Sequence, residues 1–205
     1  KVVLVNPAHT KKSKELDDNS QTKNDRKDAL TIAKLVKDGR YSEMYLPKEE
    51  YSELRALTLT RIEVSKTQNS TKNRIRALMD EYFPEFEIVF KTFIEGKAAL
   101  HLLKNCPFPQ DVLKLNELEI QKLLKEVVKK TVGIKKIKEL QNVAKTSVGI
   151  TLGIEGAKVR LKVLLENYEQ NVKHLELIEN EMEKQLQKTG YLEVLTSIPG
   201  VGIVS

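Results

Sequence analysis

The chain has a single cysteine, Cys106, in 205 residues. That excludes an internal disulfide framework and any zinc site built from several cysteines, and it fits a reducing cytoplasm. No apolar run approaches the roughly 20 residues that span a bilayer, so no membrane partner is expected. The opening KVVLV turns polar at Asn6-Pro7, which excludes a signal-peptide core there. Aromatic residues make up only 5%, against 40% apolar and 31% charged, a balance better suited to long amphipathic helices than to a sandwich or barrel core. His9, His101 and His174 are isolated and give no zinc-ligand spacing. A Gly-rich phosphate loop of the Walker type is lacking too. Tyr41, Tyr45 and Tyr51 come without the Arg and His spacing a tyrosine recombinase needs. There is no initiator Met, and the chain stops within IPGVGIVS; a fragment of a longer protein is expected.

What is present is charge and helical periodicity. A net charge of +6 favours polyanionic partners. Val2-Val3-Leu4-Val5, ended by Asn6-Pro7, reads as one buried strand whose sheet partners precede residue 1. Residues 8–23 are polar and aperiodic and read as a loop. A helix is predicted from about Asp25 to Lys37, closed by Gly39, followed by an extended connector from Tyr41 to Pro47. Residues 48–82 contain neither Gly nor an interior Pro and read as a long helix with Leu54, Leu57, Ile62, Ile75, Leu78, Met79 and Tyr82 on its apolar face. From Glu155 to Lys188, the residues Leu161, Leu164, Leu165, Tyr168, Val172, Leu175, Ile178, Met182 and Leu186 step by threes and fours, a seam that requires a partner helix. The expected fold is mainly α: a long antiparallel helical coiled coil over 47–190, with a helical insertion at about 85–153.

Asp25 and Asp28 open the first of these helices. Asp near a helix start caps free N–H groups and suits the positive end of the dipole. A second reading comes from the apolar positions Ala29, Ile32, Ala33 and Val36, which form an inward stripe that both carboxylates extend backwards. Acids on a buried face are expensive unless paired or metal-bound. Two carboxylates at i, i+3 can share a hard divalent cation such as Mg²⁺, given further oxygen ligands from elsewhere. Residue chemistry leaves capping and metal binding both open.

The order VVLVNP, polar stretch, KNDRKDALTIAKLV resembles the end of the RNase H-like (RuvC-like) catalytic domain of transposases of the insertion sequence 110 family, relatives of the Piv DNA invertase and the bridge-RNA-guided recombinases. Asp25, Asp28 and Ala29 match the D-x-x-D-A motif that supplies the last two members of that family's Asp-Glu-Asp-Asp tetrad. Residues 191–205, with Leu195-x-x-Ile198-Pro199-Gly200-Val201-Gly202, resemble the start of its second conserved domain. The resemblance implies a partial RNase H-like α/β piece (one strand plus one helix) over 1–46 and a Mg²⁺-dependent DNA transposase or recombinase. By the same resemblance Asp25 and Asp28 are catalytic metal ligands, and the first Asp and the Glu lie before residue 1. The nucleophilic serine lies beyond residue 205, so neither Ser197 nor Ser205 is it, and the fragment alone is expected to be inactive. DNA, a guide RNA and a second copy, paired through the coiled coil, are the implied partners.

Two further features bear on nucleic acid. Arg61, Lys66, Lys72, Arg74 and Arg76 face Glu63 alone in their stretch, and Lys122, Lys125, Lys129, Lys130, Lys135, Lys136, Lys138 and Lys145 face only Glu126 and Glu139. Such clusters either track phosphates or form solvated helix faces. Ile-Pro-Gly-Val-Gly resembles the hairpin of helix-hairpin-helix modules, in which Gly200 and Gly202 would let backbone N–H groups approach a phosphate; a plain tight turn is the alternative. Two rival functions remain. One is a Holliday-junction resolvase or nuclease that activates water with the same acids. The other is a non-catalytic basic helical adaptor.

Overall fold

The computed structural model describes residues 2–18, 25–44, 49–128 and 133–202. Part of the expected loop (19–23), the end of the connector (45–47), Lys129, Lys130 and Ser205 lie outside them. The chain divides into two compact units, Lys1–Ser52 and Glu53–Ser205.

The first unit holds β1 (Val3–Leu4), α1 (Pro7–Asp18), α2 (Asp25–Lys37) and β2 (Ser42–Glu43). Two expectations change here. β1 finds its partner inside the chain: it pairs antiparallel with β2, Val3 opposite Glu43 and Leu4 opposite Ser42. Residues 8–18 are helical rather than loop. Asn6 does more than stop a strand: its Oδ1 accepts the Ala8 N–H at 2.9 Å. Pro7 takes the first helical position, where a missing N–H leaves no bond unmade. α2 ends as expected, in a Schellman turn: Gly39 has φ +71°, its N–H reaches Val36 O, and Arg40 N–H reaches Leu35 O.

α2 packs on α1 through Thr31 and Leu35, which are buried, while Ala29, Ile32 and Ala33 are exposed. The stripe predicted to face inward is therefore turned outward except at Val36, which is half-buried. The reason is α1 itself, which covers the Asp28–Thr31–Leu35 side.

In the second unit α3 (Glu50–Tyr82, begun in the first unit) and α9 (Ile154–Lys188) are the long helices. Between them lie α4 (Phe86–Val89), a 3₁₀ turn (Phe93–Glu95), α5 (Lys97–Asn105), α6 (Pro109–Leu113), α7 (Glu117–Lys125) and α8 (Ile134–Lys145). The long helices run antiparallel. Ile150 N–H bonds Glu81 O at 3.0 Å where α3 ends and α9 begins, and Arg61 Nε bonds Glu179 Oε1 at 2.9 Å far along both. Among the half-buried or buried positions of α3, one series steps by three and four: Leu54, Leu57, Arg61, Val64, Gln68, Thr71, Ile75, Leu78, Tyr82. Ile62, expected on this seam, is 42% exposed; Arg61 and Val64 take its place. On α9 the matching series contains Leu161, Leu164, Tyr168, Leu175, Ile178 and Met182, interrupted by Asn171. This is a heptad pattern with a polar centre.

The insertion explains the aromatic shortage. All five phenylalanines, Phe83, Phe86, Phe90, Phe93 and Phe108, are buried in one cluster. Phe86 stacks on Phe90 at 5.2 Å between centroids and meets Phe83 edge-on at 5.8 Å. The cluster is continuous with Ile75, Leu78 and Met79 of α3 and with Leu161, Leu164, Leu165 and Tyr168 of α9. The insertion thus shares one core with the inner halves of the long helices.

A short loop before α9 locks this arrangement. Ser147 Oγ donates to Glu85 Oε2 at 2.7 Å and Val148 N–H to Glu85 Oε1 at 3.0 Å. A Cβ at Gly149 would stand 2.1 Å from Tyr82 O, so only glycine lets the two backbones approach this closely.

Candidate active site and nucleic-acid surface

Asp25 is the first residue of α2 and is exposed. Asp28 lies one turn on, on the face that packs against α1, with its side chain 40% exposed. The two carboxylates do not share an inward stripe, contrary to the sequence expectation. Asp28 Oδ1 is shielded from solvent and receives no hydrogen bond; its counter-charge is the ammonium of Lys14 on α1, with which it forms an ion pair. Lys14 went unnoticed in the sequence because residues 8–18 read as loop, where no register places a side chain.

A divalent cation requires several oxygen ligands. Among the described residues no group of three or more His, Cys, Asp or Glu side chains is placed to hold a metal ion. Asp28 Oδ1 is already engaged by a cation of the chain. The residues present therefore do not by themselves fit Mg²⁺.

The five basic residues of α3 divide into two sets. Arg61 is paired with Glu179 at 2.9 Å, Lys72 with Glu95, and Arg76 with Glu87 at 2.6 Å. Arg76 also lies over the Phe93 ring at 5.3 Å, and the hydrogen bond it donates to Glu87 holds its pKa above the usual value despite some burial. Glu95 is held below the ordinary carboxylate range by Lys72, which outweighs its desolvation. Lys66 and Arg74 are exposed and have no carboxylate partner among the described residues. They stand eight residues apart, with Asn69 and Asn73 exposed between them. In the other cluster, Lys136 covers the Phe90 ring at 4.4 Å and Lys138 reaches Glu117 at 3.9 Å.

Gly200 has φ +86°, and Val201 N–H bonds Ile198 O at 3.0 Å. Pro199-Gly200 thus forms the centre of a type II turn, which requires a positive φ at its third residue. The turn follows the short helix α10 (Leu192–Thr196). Ser197 is spent locally, its Oγ donating to Val194 O at 2.7 Å.

Other candidates carry no chemistry. Cys106 is buried, and burial, helped by Asp111, pushes its thiol up to about 12, as expected of a core residue. His101 pairs with Glu126 at 3.2 Å, and His174 with Gln170 at 2.9 Å. A cleft of about 540 Å³ between α5, α6 and α9 is spanned by the Lys104–Glu169 and Lys158–Asp111 pairs, and its lining contains no Ser, Thr, Cys or His. No helix among the described residues is long and apolar enough to cross a membrane.

The comparisons with known proteins fall on the part of the chain that carries the aspartates. The family model described as transposase, of the DEDD type of IS110, matches residues 1–84. Residues 1–84, from β1 to the end of α3, are thus similar to DEDD transposases of the IS110 type, and this similarity supports a transposase or recombinase function. No curated protein and no solved structure matches the chain.

Proposed function

We propose that the chain is part of a DNA transposase of a mobile insertion sequence, with Asp25 and Asp28 contributing two carboxylates to its acidic site. The observation that carries this reading is the coincidence of the D-x-x-D-A motif at the front of α2 with the transposase family match over 1–84. The helix start would account for both acids, which lie in the first turn of α2, but Asp28 is also half-buried against α1, where Lys14 pairs with it. The remaining ligands, Mg²⁺ and the serine nucleophile belong to this reading only through the family.

In this reading the region 1–46 closes the catalytic domain, 47–190 is the helical arm with its insertion at 85–153, and 191–205 begins a second transposase domain. Nucleic acid is the partner of the exposed side of α3, with Lys66 and Arg74 as its free cations and Arg61, Lys72 and Arg76 held in ion pairs that binding would have to exchange for phosphate. Gly200 and Gly202 lie where a phosphate contact would be made at the turn. A guide RNA and pairing of two copies through the helical arm complete the proposal, in a cytoplasmic setting. The test is strand cleavage on transposon-end DNA by the gene product that contains this chain, wild type beside Asp25→Ala and Asp28→Ala. Loss of cleavage in both variants with helicity retained is expected. Undiminished cleavage in either removes that residue from the site.

A further inference from the structure

One face of α3 carries polar groups that the fold leaves unused. Over residues 64–79 the sequence has no Asp or Glu. Val64, Gln68, Thr71, Ile75, Leu78 and Met79 are buried or half-buried, while Lys66, Asn69, Ser70, Asn73, Arg74 and Ala77 are exposed. At about 100° per residue these six exposed positions fall in one arc of about 140°, opposite the buried side. The amides of Asn69 and Asn73, four residues apart, are neighbours on the helix surface and bond no other residue among those described. Lys66 and Arg74 flank them, about 12 Å apart along the helix axis. Ser70 and Ala77 have short side chains, which let the helix backbone approach a partner closely.

Charge and side-chain chemistry select the partner. A face with cations and no acid suits a polyanion, and a merely solvated face has no need to exclude acids over about four turns. α3 has no aromatic residue between Tyr51 and Tyr82, so it offers no platform on which the bases of a single strand would stack. A-form RNA closes its major groove to side chains, whereas the major groove of B-DNA, about 12 Å wide, admits a helix. In that groove a carboxamide matches adenine, donating to N7 and accepting from the N6 amino group. We propose that this face of α3 reads duplex DNA in the major groove: Asn69 and Asn73 each bond an adenine edge, and Lys66 and Arg74 fix the register on phosphates. The proposal rests on the reading of α3 as a nucleic-acid surface and adds sequence preference to it.

The test is selection of bound sequences from a pool of randomised duplex DNA by the chain, followed by affinity measurements on the enriched duplexes at several salt concentrations. The wild type is expected to enrich sites with fixed adenines. Asn69→Ala and Asn73→Ala should each lose about tenfold in preference at one position, with affinity for unselected DNA and the salt slope unchanged. Alanine is a strong helix former, so both variants should keep the wild-type helicity by far-UV circular dichroism. 7-Deazaadenine at the preferred position, which removes the N7 acceptor, should weaken the wild type and leave the matching alanine variant unaffected. Lys66→Ala and Arg74→Ala should instead weaken binding to all sequences alike and lower the salt slope by about 1 each. Salt-dependent binding through Lys66 and Arg74 without enrichment, or with enrichment that both asparagine variants retain, overturns the readout and keeps α3 as a nucleic-acid surface. Tighter binding of an RNA duplex than of any selected DNA overturns the major-groove assignment. Binding that depends on neither Lys66 nor Arg74 overturns the nucleic-acid reading of α3 and the proposal with it.

Discussion

Replacing Gly149 by alanine tests the packing of the helical unit at its tightest point. The new Cβ would meet Tyr82 O at 2.1 Å, Tyr82 C at 2.5 Å and Phe83 N at 3.1 Å, all backbone atoms at the end of α3. Backbone there cannot rotate away, so the loop must retreat by about 1 Å to reach an ordinary contact distance. Retreat breaks or lengthens Ile150 N–H to Glu81 O and the two bonds that Ser147 and Val148 donate to Glu85. Overpacking costs about 1–3 kcal/mol, and each lost hydrogen bond about 1 kcal/mol, with more for those to a charged acceptor. Alanine restricts the unfolded chain and so returns about 0.4–1 kcal/mol. The net expectation is a loss of about 2–4 kcal/mol. Urea unfolding followed by far-UV circular dichroism measures it, with Cys106, the single thiol of the chain and buried in the core, as a local reporter of opening. Gly156→Ala is the control of opposite sign: nothing lies within 4 Å of its added methyl, and it sits in α9, so it should stabilise by up to about 1 kcal/mol. An unchanged or higher midpoint for Gly149→Ala would refute the loop geometry.

Two further predictions concern charge. Burial pushes the Glu85 carboxyl up, but the hydrogen bonds from Ser147 and Val148 more than offset this and leave it below the ordinary carboxylate value. Its contribution is therefore present above the unfolded carboxylate pKa and is lost as pH falls through the depressed folded value. Amide exchange at Val148 and Ile150 should accelerate only on acidification below about pH 4, and Glu85→Gln should abolish that pH dependence. For nucleic acid, Lys66→Ala and Arg74→Ala together should lower the slope of log affinity against log salt by about 2. Arg61→Ala should change it less, because Glu179 already neutralises Arg61. Equal effects from free and paired cations would place the nucleic acid elsewhere.

The long helices were legible in the sequence because apolar residues recur by threes and fours along more than thirty residues, although polar residues interrupt each seam near its centre. The start of α2 was legible for the same reason that its packing face was not. Asp25 and Gly39 mark local ends, whereas which side is covered depends on α1, a helix whose polar composition gives no amphipathic signal. Asn6-Pro7 shows how one dipeptide carries two meanings, a strand stop and a helix start, and only the chain beyond it decides. The partner of β1 was hidden because Ser42-Glu43 has neither β-branched nor apolar residues. Five dispersed phenylalanines look sparse in composition, yet short helices bring them into one core. At the site, the spacing of the aspartates was readable, but the lysine opposite Asp28 was not, since it depends on the packing of two helices.

The most direct test of the account is a search for a covalent protein–DNA adduct. The gene product containing this chain would be incubated with Mg²⁺ and transposon-end DNA, with and without its guide RNA, and resolved on denaturing gels beside Asp28→Ala. The account predicts a slow-migrating adduct in the wild type that disappears in the variant. An adduct of equal yield in Asp28→Ala, or free cleaved DNA with no adduct at any time, would contradict it.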